Sequence, residues 1–215
     1  MDSITLTIIL IGMTVLISYQ AFNRTDMKYK LAFHPVSINE FGQWYRFLTS
    51  GFVHNDWQHL ILNMYVFYLF GSTLEQFFTK LIFEPAMGRI VFLFFYLSAI
   101  IVSDIPSFFQ HKENSAYSAV GASGATSALL MAYIMFDPWN WFIFPPLPGL
   151  ILAIGYLWYS SYMGRHGNDL IAHYAHLWGA VYGIVFMVLI AVFYEPRLLD
   201  YFINQLLAGP RMPAF

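Results

Sequence analysis

The sequence predicts an all-α membrane protein built as a bundle of six transmembrane helices. Composition is the first reason. Of 215 residues, 59% are hydrophobic and only 10% are charged, whereas soluble domains carry roughly 25% charged residues. Mean hydropathy is the second: at +0.57, the chain has too little polar surface to coat a water-soluble globule. The third is the presence of six separate apolar stretches near the length that spans a bilayer, ~20 residues for ~30 Å of hydrocarbon. Together these exclude a soluble enzyme, a disordered chain and a secreted disulfide scaffold. The chain has no cysteine, which removes thiolate zinc sites and a cysteine nucleophile. A net charge of −2 without a basic run gives no footprint for nucleic acid, so the lipid bilayer is the first expected partner.

The first span is expected at about 4–22. It carries Asp2 where a secretory leader has Lys or Arg, and no small-x-small site follows, so it reads as a retained anchor. The other spans are expected at about 57–78, 87–105, 121–136, 149–163 and 171–194. Backbone polar groups in hydrocarbon must be satisfied internally, which makes each span a helix. The connection from Asn23 to Asp56 is amphipathic, with Phe33, Phe41, Trp44, Tyr45, Phe47 and Phe52 among its charges, as expected of a segment in the interface. Trp139 and Trp141, ahead of Pro145, Pro146 and Pro148, read as an aromatic stop between spans four and five. No repeat or second hydrophilic domain interrupts the pattern, so residues 1–215 read as one membrane domain. With the N-terminus inside, Lys and Arg divide four inside against six outside, so charge does not orient the chain.

Polar groups within spans are costly and mark functional sites. The second span opens in GFVHNDWQHLILNMY with His54, His59 and Asn63; the last two are one helical turn apart on a single face. The fourth opens in AVGASGATSALLMAY and the sixth in IAHYAHLWGAVYG, where His176 shares a face with Gly179 and Gly183. Spans two, four and six run in the same direction, so His59, Ser123 and His176 lie at similar depth on one side. Three helix N-termini there suit a developing anion. Gly124, Ala128 and Ala132 form one small-residue ridge and Gly179 and Gly183 another; such ridges let helices approach closely. If they face each other, Ser123 is carried toward His176, and a histidine within hydrogen-bond reach is what activates a serine. Taken singly, each feature has a plainer reading. Glycines pack helices, a lone histidine bonds a carbonyl, and His173 with His176 could bind a metal with His54 or His59, a reading weakened because no supporting carboxylate is evident beyond Asp56 and Asp169.

Three motifs in order, HLILN, GASG and AHLWGAVYG, with WYR at Trp44–Arg46 upstream, resemble the rhomboid intramembrane serine proteases from about Trp44 to Val188. The resemblance implies a six-helix rhomboid-like bundle. It implies Ser123 as nucleophile, His176 as general base, and an oxyanion site from the Ser123 amide, His59 and Asn63. His54, Gly121, Gly124, Gly179 and Gly183 would support these residues. The N-terminus would be inside, the site near the outer face, and the substrate, a transmembrane helix of another membrane protein, would pass the fifth helix. No metal or organic cofactor is implied, and the compartment implied is the bacterial inner (cytoplasmic) membrane. Many members place a tyrosine four residues after the serine, where this chain has Ser127, and some a further glycine at the position of Val120. The pattern therefore does not say what holds the His176 ring. Two other classes stay open: a catalytically silent membrane chaperone or adaptor, and a histidine-lined metal transporter or hydrolase.

Overall fold

The computed structural model describes residues 5–142, 146–166 and 172–210. The expected span ends at Ile4 and Ile171, together with Pro145 and Asp169, lie outside them. The described elements are helical: α1 (Leu6–Phe22), α2 (Thr25–Leu31), α3 (Pro35–Phe41), α4 (Arg46–Thr49), α5 (Trp57–Val66), α6 (Ser72–Phe77), α7 (Pro85–His111), α8 (Ser123–Phe136), α9 (Gly149–His166), α10 (His173–Phe193) and α11 (Arg197–Ala208). β pairing among the described residues is confined to two isolated bridges, Phe33 with Ala119 and Trp141 with Pro148. The fold is a six-helix membrane bundle, with α5 and α6 together making the second long helix. Among the described residues, α7 and α10 are each long and apolar enough to cross a bilayer by themselves, and α1 and α8 are shorter apolar helices.

α1 shows why composition alone announces a membrane. Its inward face is small and polar, with Thr7, Thr14 and Ser18 fully buried, while Ile8, Ile9, Met13 and Leu16 are exposed. In water that arrangement would be inverted; in lipid it leaves the apolar side chains in their own solvent. The helix N-terminus is held by the buried Glu75, which accepts from the amides of Leu6 and Thr7 at 2.8 and 2.9 Å and from the Thr7 hydroxyl at 2.7 Å. A carboxylate there satisfies orphan donors and complements the helix dipole.

The second helix continues beyond its expected end at Phe78. π turns at Phe67–Gly71 and Phe78–Ile82 extend it to Ile82, and each inserted residue re-aims the face that follows. α7 is longer still, 27 residues with Pro106 inside, where the sequence suggested an end near Ile105. Proline is tolerated in such helices when packing re-satisfies the freed carbonyl. The extra turns carry Phe108 onto Phe33 and Phe47 of the long connection. That connection is not one interfacial segment but three short helices and a 3-10 turn, folded back on the bundle. Arg46 pins it, its guanidinium donating to the carbonyls of Tyr29 and Ala32 and to Gln43 Oε1. α11 was not anticipated. It is amphipathic with no residue fully buried, and Trp139 Nε1 donates to its Leu206 carbonyl at 3.0 Å.

Candidate active site

The site is built on a close backbone contact between α8 and α10. A Cβ placed on Gly179 of α10 would fall on the carbonyl oxygen of Gly124 in α8, and one on Gly183 would fall on that of Ala128. The two small-residue ridges therefore do face each other, backbone against backbone. Gly124 is crowded from a third side, since a Cβ there would fall on Ser103 Oγ of α7. This seam sets the relative position of Ser123, the first residue of α8, and His176, in the first turn of α10.

The chain leading into α8 is clamped as firmly. Phe33 and Ala119 exchange both backbone hydrogen bonds, at 2.9 and 3.0 Å, and the Gly121 amide donates to the Ser50 carbonyl at 3.0 Å. The Ala122 amide donates to His54 Nε2 at 3.3 Å. An amide can only donate, so Nε2 accepts and the ring proton sits on Nδ1. From there it reaches Ser18 Oγ at 3.0 Å, and that hydroxyl donates on to the Phe52 carbonyl at 3.0 Å. Burial, with a smaller contribution from His59, pushes the His54 ring pKa down to about 3, which keeps it neutral as this network requires. His54 therefore supports the backbone before Ser123 and does not line the cavity described next.

With the amides of Gly121 and Ala122 tied back, that of Ser123 is the first at this end of α8 without an intrahelical acceptor. Gly121 has φ +122°, and a Cβ on it would come within 2.6 Å of the His59 ring. Glycine is required there by conformation and by space. His59 itself is fixed through its helix start, where the Asp56 carboxylate accepts from the His59 amide at 2.8 Å. Asn63, buried one turn on, donates from Nδ2 to the His59 carbonyl at 2.9 Å. The Thr126 hydroxyl lies 3.4 Å from Asn63 Oδ1.

Ser123, His176, His59 and Asn63 line one cavity of about 860 Å³, with Tyr156 and Ser127 also in its wall. All four chemistry-bearing residues singled out in the sequence are thus brought together. Among the described residues no group of three His, Asp or Glu is gathered as a metal site. Sequence reasoning missed two residues here. Tyr156 of α9 lies nearly parallel to the His176 ring, centroids 6.3 Å apart at 20°. Asp104 of α7 is buried behind Ser123, 3.4 Å from Ser50 Oγ, beside a small cavity that Ser123 also borders. A carboxylate within an apolar span was the available signal for Asp104; nothing local marks Tyr156.

A hydroxyl at a helix N-terminus, an imidazole and an amide-bearing side chain around one cavity can carry out nucleophilic acyl transfer. Comparison with known proteins identifies the family. The Rhomboid domain family model matches residues 41–193. Rhomboid-like protein 11, chloroplastic, of Arabidopsis thaliana is 26% identical over 198 residues, covering 86% of this chain and 65% of its own length. RHOMBOID-like protein 12, mitochondrial, of the same plant is 27% identical over 190 residues, covering 82% of this chain and 55% of its own length. The chain thus spans less than two thirds of either relative. Their names place them in organelles, so the expectation of a bacterial inner membrane finds no support in them; the domain and the apolar helices support a membrane protein. The chain belongs to the rhomboid family.

Proposed function

We propose that this protein is an intramembrane serine endopeptidase that cleaves transmembrane segments of other membrane proteins, and that residues 1–215 act as one domain. The observation that carries this reading is the glycine seam, which brings Ser123 and His176 to one cavity together with His59 and Asn63. Ser123 Oγ attacks the scissile carbonyl while His176 accepts its proton. The oxyanion forms beside the Ser123 amide, His59 and Asn63, where each such donor contributes ~2.7–4 kcal/mol in soluble serine proteases. His176 then protonates the leaving amine, and water hydrolyses the acyl-enzyme. The N-terminus lies inside, the cavity opens near the outer face, and the substrate helix reaches it past α9. The chemistry calls on no metal or organic cofactor.

The test is fluorophosphonate labelling and cleavage of a transmembrane reporter in proteoliposomes. Wild type labels at Ser123 and cleaves; Ser123→Ala does neither, and His176→Ala loses cleavage. The double variant is no worse than either single one, because the two act as a unit. His59→Ala and Asn63→Ala slow cleavage ~100- to 1,000-fold while Ser123 still labels. A wild-type protein that binds the reporter but neither labels nor cleaves is a chaperone or adaptor, and the protease reading fails.

A further inference from the structure

One side chain of α9 lies against the ring of His176 and is linked through Ser127 to the backbone of Ser123. Ser127 Oγ lies 2.7 Å from the Ser123 carbonyl oxygen, which can only accept, so the single Ser127 proton is committed there. The Tyr156 hydroxyl, 2.6 Å from Ser127 Oγ, must therefore be the donor in that second bond. A chain of two hydrogen bonds runs from Tyr156 through Ser127 to the backbone of Ser123. The ring of the same tyrosine lies against His176 in the offset, near-parallel arrangement that aromatic pairs prefer. Tyr156 is thus anchored at its hydroxyl to the serine's helix and laid along the histidine's ring.

The helix carrying it is held differently from its neighbours. Gly149, Ala153 and Ser160 are the described residues of α9 that are buried. Ile151, Ile154, Trp158, Tyr159 and Tyr162 are exposed. Its contact with α8 and α10 is made by side chains, with Ala153, Tyr156 and Leu157 clustered with Met131, Ile134 and Ala180, the Tyr159 ring edge-on to His173, and Gly164 against the Tyr174 ring. α8 and α10, by contrast, are locked at their glycines. A displacement of α9 would carry the Tyr156 ring away from His176 and break the bond to Ser127 without moving either helix of the dyad.

We propose that Tyr156 is a positioning residue, and that the Ser123–His176 pair is aligned only while α9 is seated against α8 and α10. This rests on the protease reading above. Access past α9 and alignment of the dyad then become linked.

The test uses the full chain in proteoliposomes, with the rate of fluorophosphonate labelling at Ser123 and the kcat and KM of reporter cleavage. Tyr156→Leu removes ring and hydroxyl, and is expected to lower kcat and labelling rate about 100-fold with KM unchanged. Tyr156→Phe keeps the ring but loses the bond to Ser127, and kcat falls ~5-fold. Ser127→Ala removes the same bond from its other end and matches it; Tyr156→Phe with Ser127→Ala is no worse than either alone. Ala153→Leu wedges α9 outward one turn away and lowers kcat although no residue that lines the cavity is replaced. Should Tyr156→Leu fail to fold, the Phe and Ala pair still decides by its non-additivity. The inference is overturned if Tyr156→Leu labels like wild type, if its loss lies in KM alone, if the Phe and Ala effects are absent or additive, or if Ala153→Leu raises kcat. A wild-type protein that neither labels nor cleaves would overturn the protease reading instead.

Discussion

α8 and α10 meet backbone to backbone, because Gly124, Gly179 and Gly183 leave no side chain between them, whereas α9 lies beside them through side chains, among them Ala153, Tyr156, Leu157 and Tyr159. The two contacts serve one cavity and differ in what they tolerate. A backbone seam has no rotamers to adjust, so it fixes how far α8 stands from α10, and with that the helix ends that carry Ser123 and His176. A side-chain contact with few buried members can separate and reform, since little apolar contact is lost when it does. In lipid the difference is sharper than in water. Exposing the apolar face of α9 to hydrocarbon costs little, because hydrocarbon is as apolar as leucine. The rigid half of the site is therefore the half that carries the proposed Ser123–His176 pair, and the yielding half is the one past which we propose that a substrate helix enters.

Three changes break or sharpen this comparison, and the largest effect is expected at the seam. Gly179→Val puts branched carbon against the Gly124 carbonyl, less than one turn from His176. Overpacking of this kind typically costs ~1–3 kcal/mol and is relieved by moving backbones apart, and a displacement of about 1 Å between reacting groups lowers a rate ~100-fold. Cleavage by Gly179→Val should fall by that order although both dyad residues remain. Val at the neighbouring Trp178, which is 41% exposed, should leave it near wild type. Equal activity in the two variants would dissolve the distinction between the seam and its surroundings.

The next effect concerns the clamp ahead of Ser123. The His54 ring, held neutral in the folded protein, takes up a proton only on unfolding, so acid favours the unfolded chain. The contribution is present above pH 6.5 and is lost progressively as pH falls toward 3. Between pH 7 and 5 it amounts to about 2 kcal/mol. Thermal inactivation followed across that range should show a steeper loss for wild type than for His54→Gln, which cannot titrate. Parallel curves would mean that the ring binds its proton equally well in the folded and the unfolded chain.

The smallest effect is expected on α9. A Cβ on Gly155 meets nothing within 4 Å, in contrast to every glycine of the seam. Gly155→Ala should stabilise the helix by up to about 1 kcal/mol through propensity alone and leave kcat within about twofold of wild type. Denaturation midpoint and initial rate measured side by side would show whether α9 is as unconfined on that face as its open surroundings indicate.

Much of this was legible in the sequence, and for identifiable reasons. Six apolar stretches follow from the length of the bilayer, and the small-residue spacing on α8 and α10 follows from helix periodicity. Gly121 could not be another residue, since its φ of +122° and the His59 ring above it both exclude a side chain. Where a position admits only one chemistry, the one-dimensional pattern records it. The extension of α7 through Pro106 and the two π turns were not legible, because they depend on neighbours that re-satisfy the backbone. α11 could have been found from its apolar stripe at Leu198, Leu199, Phe202 and Leu206, which was too short to register as a span.

Composition and motif spacing by themselves determined a helical membrane protein with Ser123, His176, His59 and Asn63 at like-directed helix ends. The tertiary structure alone decided what lies against the His176 ring. Ser127 offers a hydroxyl and no ring, and the aromatic face comes from Tyr156, twenty-nine residues along on a different helix. A stacking contact between helices is set by their relative position and rotation, which are settled by packing at other residues, so no local pattern around Tyr156 could have announced it.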